Sequence, residues 1–504
     1  MPLACVAGVV AHGLAGQLVD VHVHLANGLP SMTIVGLADT AVSESRDRVR
    51  SAVVNSGLDW PSRRITVGLS PASEQKRGSG LDLAVAVAVL AASGAVPARS
   101  VAGAVFVGEL ALDGSLRPIR GAIAMALAIG DAMGPEVRVF TSQTMAPDMA
   151  LVPGIDVIPA AGLGAVVAML RGERRAESTP GNLIGAEVAA PEDCDLRDVV
   201  GQAEACTALE VAAAGGHHML FEGPPGVGKT MLAERLRGLL PQLGDRQALE
   251  VSAIRGAANG STNESPTRLP PFVGAHHSAS HAAMVGSVHG GVARPGLISL
   301  AHRGVLFLDE APEFHRVTLE ALRQPMESGQ ISIARSGLVD QLPALFQLVL
   351  TANLCPCGGM GRDDSQCRCS SMMSRRYRDR LSRPLRDRID LRVRISDPVG
   401  RRPADSSAEV RERVLAARHR AEARCGMGVL NSRVSAGVLR GWSLPESVGS
   451  ALDRWVGDQP GSMRARDRIV RVCWTLADLN DREQPTVDDM ALAVCLNGRA
   501  GGTR

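Results

Sequence analysis

Gly223-Pro224-Pro225-Gly226-Val227-Gly228-Lys229-Thr230 is the stretch on which the reading of this chain turns. It fits the pattern G-x-x-x-x-G-K-[ST] in full, follows the short apolar run His218–Phe221 and opens a helical stretch from Met231. Strand, glycine loop and helix N-terminus together make a phosphate cradle. The glycines let backbone N–H groups turn inward, and the helix adds its positive dipole end. Gly223 to Thr230 are therefore the expected nucleotide contacts, with Lys229 reaching the β- and γ-phosphates and Thr230 ligating Mg²⁺. A Gly/Pro turn with an incidental lysine is the bland alternative, and the flanking strand and helix count against it. Lysine usage points to the same place: of 54 basic residues only Lys76 and Lys229 are lysine. An ammonium and a guanidinium do different jobs, so a lysine kept in an arginine-biased chain marks a position arginine does not fill.

About 80 residues on, Gly304-Val305-Leu306-Phe307-Leu308-Asp309-Glu310 reads as an apolar strand ending in two carboxylates. Asp309 is expected to hold the Mg²⁺ shell and Glu310 to polarise the attacking water as general base. An acidic pair capping the next helix is the alternative for an isolated Asp-Glu.

Working outward, 504 residues suggest about three domains. Apolar residues at 45% and charged residues at 21% give a globular composition, neither disordered nor collagen-like. Seven Phe, four Trp and one Tyr leave an aliphatic core and disfavour a function built on stacked bases. A net charge of +2 implies no polyanion by itself. Ten cysteines are too sparse for a disulfide scaffold. Met1 to Gly16 lacks the basic region of a signal peptide, and Leu83–Ala98, broken by Gly94 and Pro97, is too short to span a bilayer. A cytoplasmic protein without membrane partners is the expectation. Residues 1–172 alternate β-rich runs (Val19–Val23, Met32–Val35, Ile65–Leu69, Val101–Val107, Val137–Phe140) with Ala-rich helical stretches. A polar linker, 173–195, leads to a second α/β domain over 196–400, and 401–504 reads as helical, notably Ser407–Arg424, Arg464–Leu479 and Val487–Leu496.

The two phosphate-site motifs resemble those of AAA+ ATPases. Within that class the chain is similar to the magnesium-chelatase-like ComM/YifB family, on long strings: Ala275–Ser280 (AHHSAS), Arg294–His302 (RPGLISLAH), Glu320–Gly329 (EALRQPMESG) and Asn353–Gly358 (NLCPCG). The resemblance implies an N-terminal Lon-protease-like α+β domain, a central AAA+ P-loop α/β domain and a C-terminal helical lid. By it, Asn353 corresponds to sensor 1, which helps place the lytic water. Arg388 corresponds to the arginine finger that enters a neighbouring subunit's site, and Arg464 to the sensor-2 arginine, with Arg468 the fallback. Asp198–Gln202 falls where such ATPases contact adenine. A solvated helix face is the alternative for each arginine. The family commonly has Arg and Pro where this chain has Val273 and Ala275, so the adjoining His276 and His277 are expected to be packed or surface residues and not a metal pair.

Cys355, Cys357, Cys367 and Cys369 place four thiols within 15 residues. In a reduced compartment that suggests tetrahedral Zn²⁺ more than disulfides, with reduced thiols in a Gly-rich loop as the alternative. Arg362–Arg394 carries 11 arginines against 5 aspartates, a stretch suited to a subunit interface or a phosphate backbone. Arg335 lies where a β-hairpin precedes sensor 1. A comparable hairpin of replicative MCM helicases points basic groups into a ring pore, which makes Arg335 the candidate DNA contact. In the N-terminal domain, Pro71–Asp82 resembles the Lon segment bearing the nucleophilic serine. Aligned through Lys76 and Gly78, that position is Gly80; the family's catalytic-lysine turn is Pro118-Ile119-Arg120-Gly121 here and leads to Ile123. With neither half of the Ser-Lys dyad, the domain is expected to be a non-proteolytic docking or oligomerisation module.

The expectation is thus a Mg²⁺-dependent AAA+ ATPase, a homohexameric ring. The family resemblance implies single-stranded or branched DNA as the track, in branch migration or unwinding during recombination. A chelatase- or MoxR-like protein-remodelling ATPase is the alternative, and an ATP-dependent protease a weaker one.

Overall fold

A computed structural model of the chain describes residues 3–12, 15–36, 40–71, 79–181, 194–259, 266–289, 292–335, 338–361, 367–400, 403–457 and 463–498. It divides into two compact units: residues 1–186 with 244–267 and 288–294, and residues 187–243 with 268–287 and 295–504. Among the described residues no helix is long and apolar enough to cross a membrane.

Unit 1 is built on a seven-stranded mixed sheet. Its strands are β1 (Leu3–His12), β2 (Ala15–Ala26), β3 (Ser31–Val35), β4 (Arg64–Ser70), β5 (Ala104–Phe106), β8 (Val137–Ser142) and β9 (Ile155–Ala160). A short pair, β6 (Glu109–Leu110) and β7 (Leu116–Arg117), lies between β5 and β8 in sequence. The sheet order is β3-β4-β2-β1-β5-β8-β9, antiparallel through β4-β2-β1 and parallel elsewhere. Valines at 19, 21 and 23 alternate onto the core face of β2, the period-2 pattern of a strand with one buried side. Against the sheet lies the helix Asp82–Ala92, every residue of which is buried. The most hydrophobic run of the sequence is thus a central core helix, each buried Val or Leu contributing about 1.5–3 kcal/mol. The helix Asp245–Asn259 packs on the helix Ala122–Met133, and Arg246 forks both carboxylate oxygens of Asp131 at 2.8 Å.

Unit 2 carries a five-stranded parallel sheet of β10 (Met219–Glu222), β11 (Phe272–Ala275), β14 (Val305–Leu308), β17 (Gln347–Ala352) and β18 (Leu391–Arg394), in the order β11-β14-β17-β10-β18. The hairpin β15–β16 (Gln330–Arg335, Leu338–Pro343) interrupts one crossover; most residues of a second hairpin, β12–β13 (Gly286–His289, Val292–Pro295), belong to unit 1. β14 and β17 are buried at every position, as a sheet covered on both faces requires. Helices Ser407–Cys425, Glu446–Gly457, Met463–Leu479 and Val487–Leu496 form the C-terminal bundle. Two of them start with a capping box, Ser406/Glu409 and Thr486/Asp489, each satisfying two helix-end groups. His217, fully buried before β10, bonds Asp390 at 2.9 Å and Thr475 of the bundle at 2.8 Å. It ties sheet and bundle together within unit 2.

Candidate functional site

β10 delivers the phosphate loop to the C-terminal edge of the parallel sheet, and the helix Lys229–Leu239 begins where the loop ends. Gly228 takes a left-handed φ of +87°, a turn that favours glycine. Gly223 is required by closeness: a Cβ there would fall 2.3 Å from the Ile395 carbonyl oxygen beyond β18. Lys229 is buried. Its Nζ donates to the carbonyls of Gly223 and Pro224, both at 2.8 Å, and to Oδ1 of Asn353 at 2.9 Å. Burial lowers the lysine's pKa, opposed by the charges of Asp309 and Glu310. P-loop lysine and candidate sensor residue, 124 positions apart, are thus in direct contact.

β14 carries the acidic pair to the same edge. Oδ2 of Asp309 accepts the Thr230 hydroxyl at 3.0 Å, so the residues expected to ligate Mg²⁺ are adjacent. Hard oxygen donors of this kind suit that ion. Glu310 is exposed and sits at φ 50°, ψ 48°, a left-handed conformation costing about 1–2 kcal/mol outside glycine. Sequence reasoning missed Thr351, whose buried hydroxyl donates to Oδ1 of Asp309 and accepts the Glu310 N–H at 2.8 Å. Its signal was position: Thr351 lies in the last two residues of β17, which ends immediately before Asn353.

Arg388 and Arg464 lie elsewhere in unit 2. Together with Arg433, Arg468 and Arg471 they line a cavity of about 480 Å³ that also presents Glu327, Asp387 and Asp467. Arg388 donates to Pro384 O at 2.7 Å and pairs with Glu327. Arg464 is exposed, whereas Arg468 is buried and bonded to the backbone of Asp387. Of the adenine-side candidates, Asp198 pairs with Arg235 at 3.2 Å and Gln202 donates to Ser396 O at 2.7 Å. His276 and His277 stack at 4.1 Å, and His276 bonds Ser278.

The four cysteines converge. Their sulfurs all lie within 4.8 Å of one another, with Cys355–Cys357 at 3.4 Å and Cys367 at 3.7 Å from both. A tetrahedral zinc with Zn–S of about 2.3 Å sets its sulfurs about 3.8 Å apart, so the thiols fit that ion. The Gly359 N–H, then the thiols of Cys369 and Cys355, hold the Cys357 thiol down to about 6. The loop rests on the phosphate loop: a Cβ on Gly358 would lie 3.0 Å from Pro225. Arg335 ends β15 opposite Leu338, and its side chain lies outside the described residues, as does Lys76.

In unit 1 the position aligned with a nucleophile carries no hydroxyl. A Cβ on Gly80 would lie 2.8 Å from Ile119, and Ile123 is buried. The neighbouring Ser79 donates to Glu109.

A parallel sheet with a P-loop on one strand end and an acidic pair two strands away defines a P-loop protein with a strand inserted between its two phosphate-site motifs. Residues 195–401 match the family model for magnesium chelatase, subunit ChlI; residues 21–137 match subunit ChlI of Mg-chelatase; residues 404–497 match the ChlI C-terminal model. The chain is 44% identical to an uncharacterized protein of Mycobacterium tuberculosis over all of both chains. It is 40% identical to the uncharacterized protein YifB of Escherichia coli over 98% of this chain and 97% of the relative. Identity to the competence protein ComM of Haemophilus influenzae is 39%, over 96% and 95%. A local match, 28% over 142 residues, joins it to Lon protease 2 of Bacillus subtilis, covering 27% of this chain and 26% of that protein. The chain belongs to the magnesium-chelatase-like YifB/ComM family.

Proposed function

We propose that this protein is a Mg²⁺-dependent ATP hydrolase working as a homohexameric ring on DNA. The observation that carries the hydrolase reading is the convergence of Lys229, Asn353, Thr230, Asp309 and Glu310 at one sheet edge. In this reading Gly223–Thr230 wrap the phosphates, and Lys229 exchanges its carbonyl partners for phosphate oxygens. Thr230 and Asp309 would hold Mg²⁺, which would supply positive charge to offset that of the phosphates. Glu310 takes the proton of the attacking water, and Asn353 orients that water while fixing Lys229.

Arg388 and Arg464 line a cavity together, whereas Lys229 bonds Gly223, Pro224 and Asn353, and Asp309 bonds Thr230 and Thr351. That arrangement favours both arginines acting on a nucleotide bound by an adjoining copy, where a guanidinium offsets charge on the transferring phosphoryl group. Cys355, Cys357, Cys367 and Cys369 are proposed to hold a structural zinc that braces the loop against Pro225; four thiolates leave no position for a substrate. The N-terminal unit is proposed to be non-proteolytic, because Gly80 and Ile123 supply neither a hydroxyl nor an amine at the aligned positions.

DNA as the track is supported by the competence-protein relative and by the arginine stretch 362–394, with Arg335 the candidate pore contact. The chelatase family models favour a second reading, a motor that remodels a protein partner. ATP turnover with and without forked or single-stranded DNA separates the two. A DNA motor is stimulated, loses DNA binding steeply with salt and is impaired by Arg335→Ala, whereas a protein remodeller is indifferent to DNA.

A further inference from the structure

We propose that Thr351 is the positioning residue of the hydrolytic site, holding both members of the acidic pair in working geometry. The proposal rests on the ATP hydrolase reading above. In register, Leu308 of β14 pairs with Leu350 of β17, so the next residues along, Asp309 and Thr351, come side by side where the strands end. Thr351 is completely buried, and its hydroxyl both donates and accepts. It gives its single proton to Oδ1 of Asp309 and accepts the Glu310 N–H at 2.8 Å.

Two consequences follow for the chemistry. Asp309 is gripped from both sides, by Thr351 on Oδ1 and by Thr230 of the P-loop helix on Oδ2 at 3.0 Å. The carboxylate plane is thereby fixed relative to the phosphate loop before any ion arrives. Glu310 meanwhile holds a left-handed backbone at φ 50°, and its N–H is anchored by Thr351 and, at 3.2 Å, by Asp309. Without the hydroxyl, the remaining anchor is the longer bond, and the base loses the conformation that presents it. Thr351 touches no reacting atom; it acts through its two neighbours. The end of β17 carries the division of labour: Thr351 holds the acidic pair, and Asn353, just past the strand, holds Lys229. A group that steadies the water-activating carboxylates acts on the chemical step more than on nucleotide affinity.

The test uses the full chain and the substitutions Thr351→Val, Thr351→Ala and Thr351→Ser. Turnover number, KM for ATP, dissociation constant for a non-hydrolysable ATP analogue and thermal midpoint are measured for each. Valine keeps the shape and removes the hydroxyl; alanine and serine differ from each other by the hydroxyl alone, which keeps the test alive if valine does not fold. Expected are a kcat at least tenfold below wild type for Val and Ala, KM and analogue affinity within twofold, and Ser within threefold of wild type. A Val or Ala variant with wild-type kcat overturns the proposal. So does a loss of analogue binding and thermal stability in step with turnover, which marks a purely structural role. A wild-type chain that hydrolyses no ATP overturns the underlying reading and this proposal together, and is distinguished by that control.

Discussion

Each unit of the molecule sets a loop beside a buried helix start, and the two loops have opposite chemistry. In unit 2 the loop before the helix Lys229–Leu239 gathers a buried ammonium, two carbonyls, an amide and, through Thr230, a carboxylate. In unit 1 the loop before the helix Asp82–Ala92 offers Gly80 under the Ile119 side chain and a serine bonded to a carboxylate. Two different sheets, one mixed and one parallel, thus present loops of different composition at a helix start. Fold alone does not confer activity; the side chains at the loop do.

The strongest way to break this contrast is to remove the cation from one loop and the hydroxyl from the other. Lys229→Ala is expected to lower ATP turnover by roughly three orders of magnitude, the scale of losing a phosphate-stabilising cation, whereas Ser79→Ala leaves turnover and casein digestion unchanged. A steady-state phosphate-release assay and a protease assay read the two. Next in size, Arg388→Ala is expected to cost on the order of 10² to 10³ in turnover. Mixing it with Lys229→Ala recovers part of the activity, because one copy supplies the lysine and the other the arginine; titration of one inactive variant against the other measures it. The four-cysteine loop sharpens the account of unit 2. Cys355→Ser or chelation is expected to release one zinc per chain and to weaken nucleotide binding about threefold to tenfold, since Gly358 packs on Pro225. Metal analysis with nucleotide titration tests it.

The remaining prediction concerns the pH dependence of stability in unit 1. Burial pushes the Asp82 carboxyl up to about 6 in spite of its ion pair with Arg48 at 2.8 Å. A carboxyl whose folded pKa is raised contributes stability that is present at low pH and lost as pH rises through about 6. Asp82→Asn removes that dependence. The stability of wild type relative to the variant is expected to fall by roughly 2–3 kcal/mol between pH 4 and pH 7. Denaturant melts across that range check the sign.

Much of this was legible in advance where chemistry or periodicity constrains residue type. The helices expected at 407–424, 464–479 and 487–496 form at 407–425, 463–479 and 487–496. The P-loop and acidic pair announced themselves because phosphate and Mg²⁺ accept few alternatives. β1 was less visible: Leu3–His12 is a Gly/Ala/Val stretch without clean alternation, and what makes it a central strand is its ladder with β2 and β5. The start of the run Val101–Val107 was misread, since Ala98–Val101 is a helical turn and β5 begins at Ala104. Thr351 and Glu327 escaped for a related reason. Their partners Asp309 and Arg388 stand 42 and 61 residues away in sequence, and only sheet register and tertiary packing bring them together.

The most direct measurement is ATP hydrolysis and ATP binding by the purified full chain with Mg²⁺, comparing wild type with Glu310→Gln. The account predicts that both bind ATP with equal affinity and that the variant releases phosphate at least one hundredfold more slowly, in keeping with loss of a general base. A variant that hydrolyses ATP at the wild-type rate, or a wild-type protein that never releases phosphate, contradicts it.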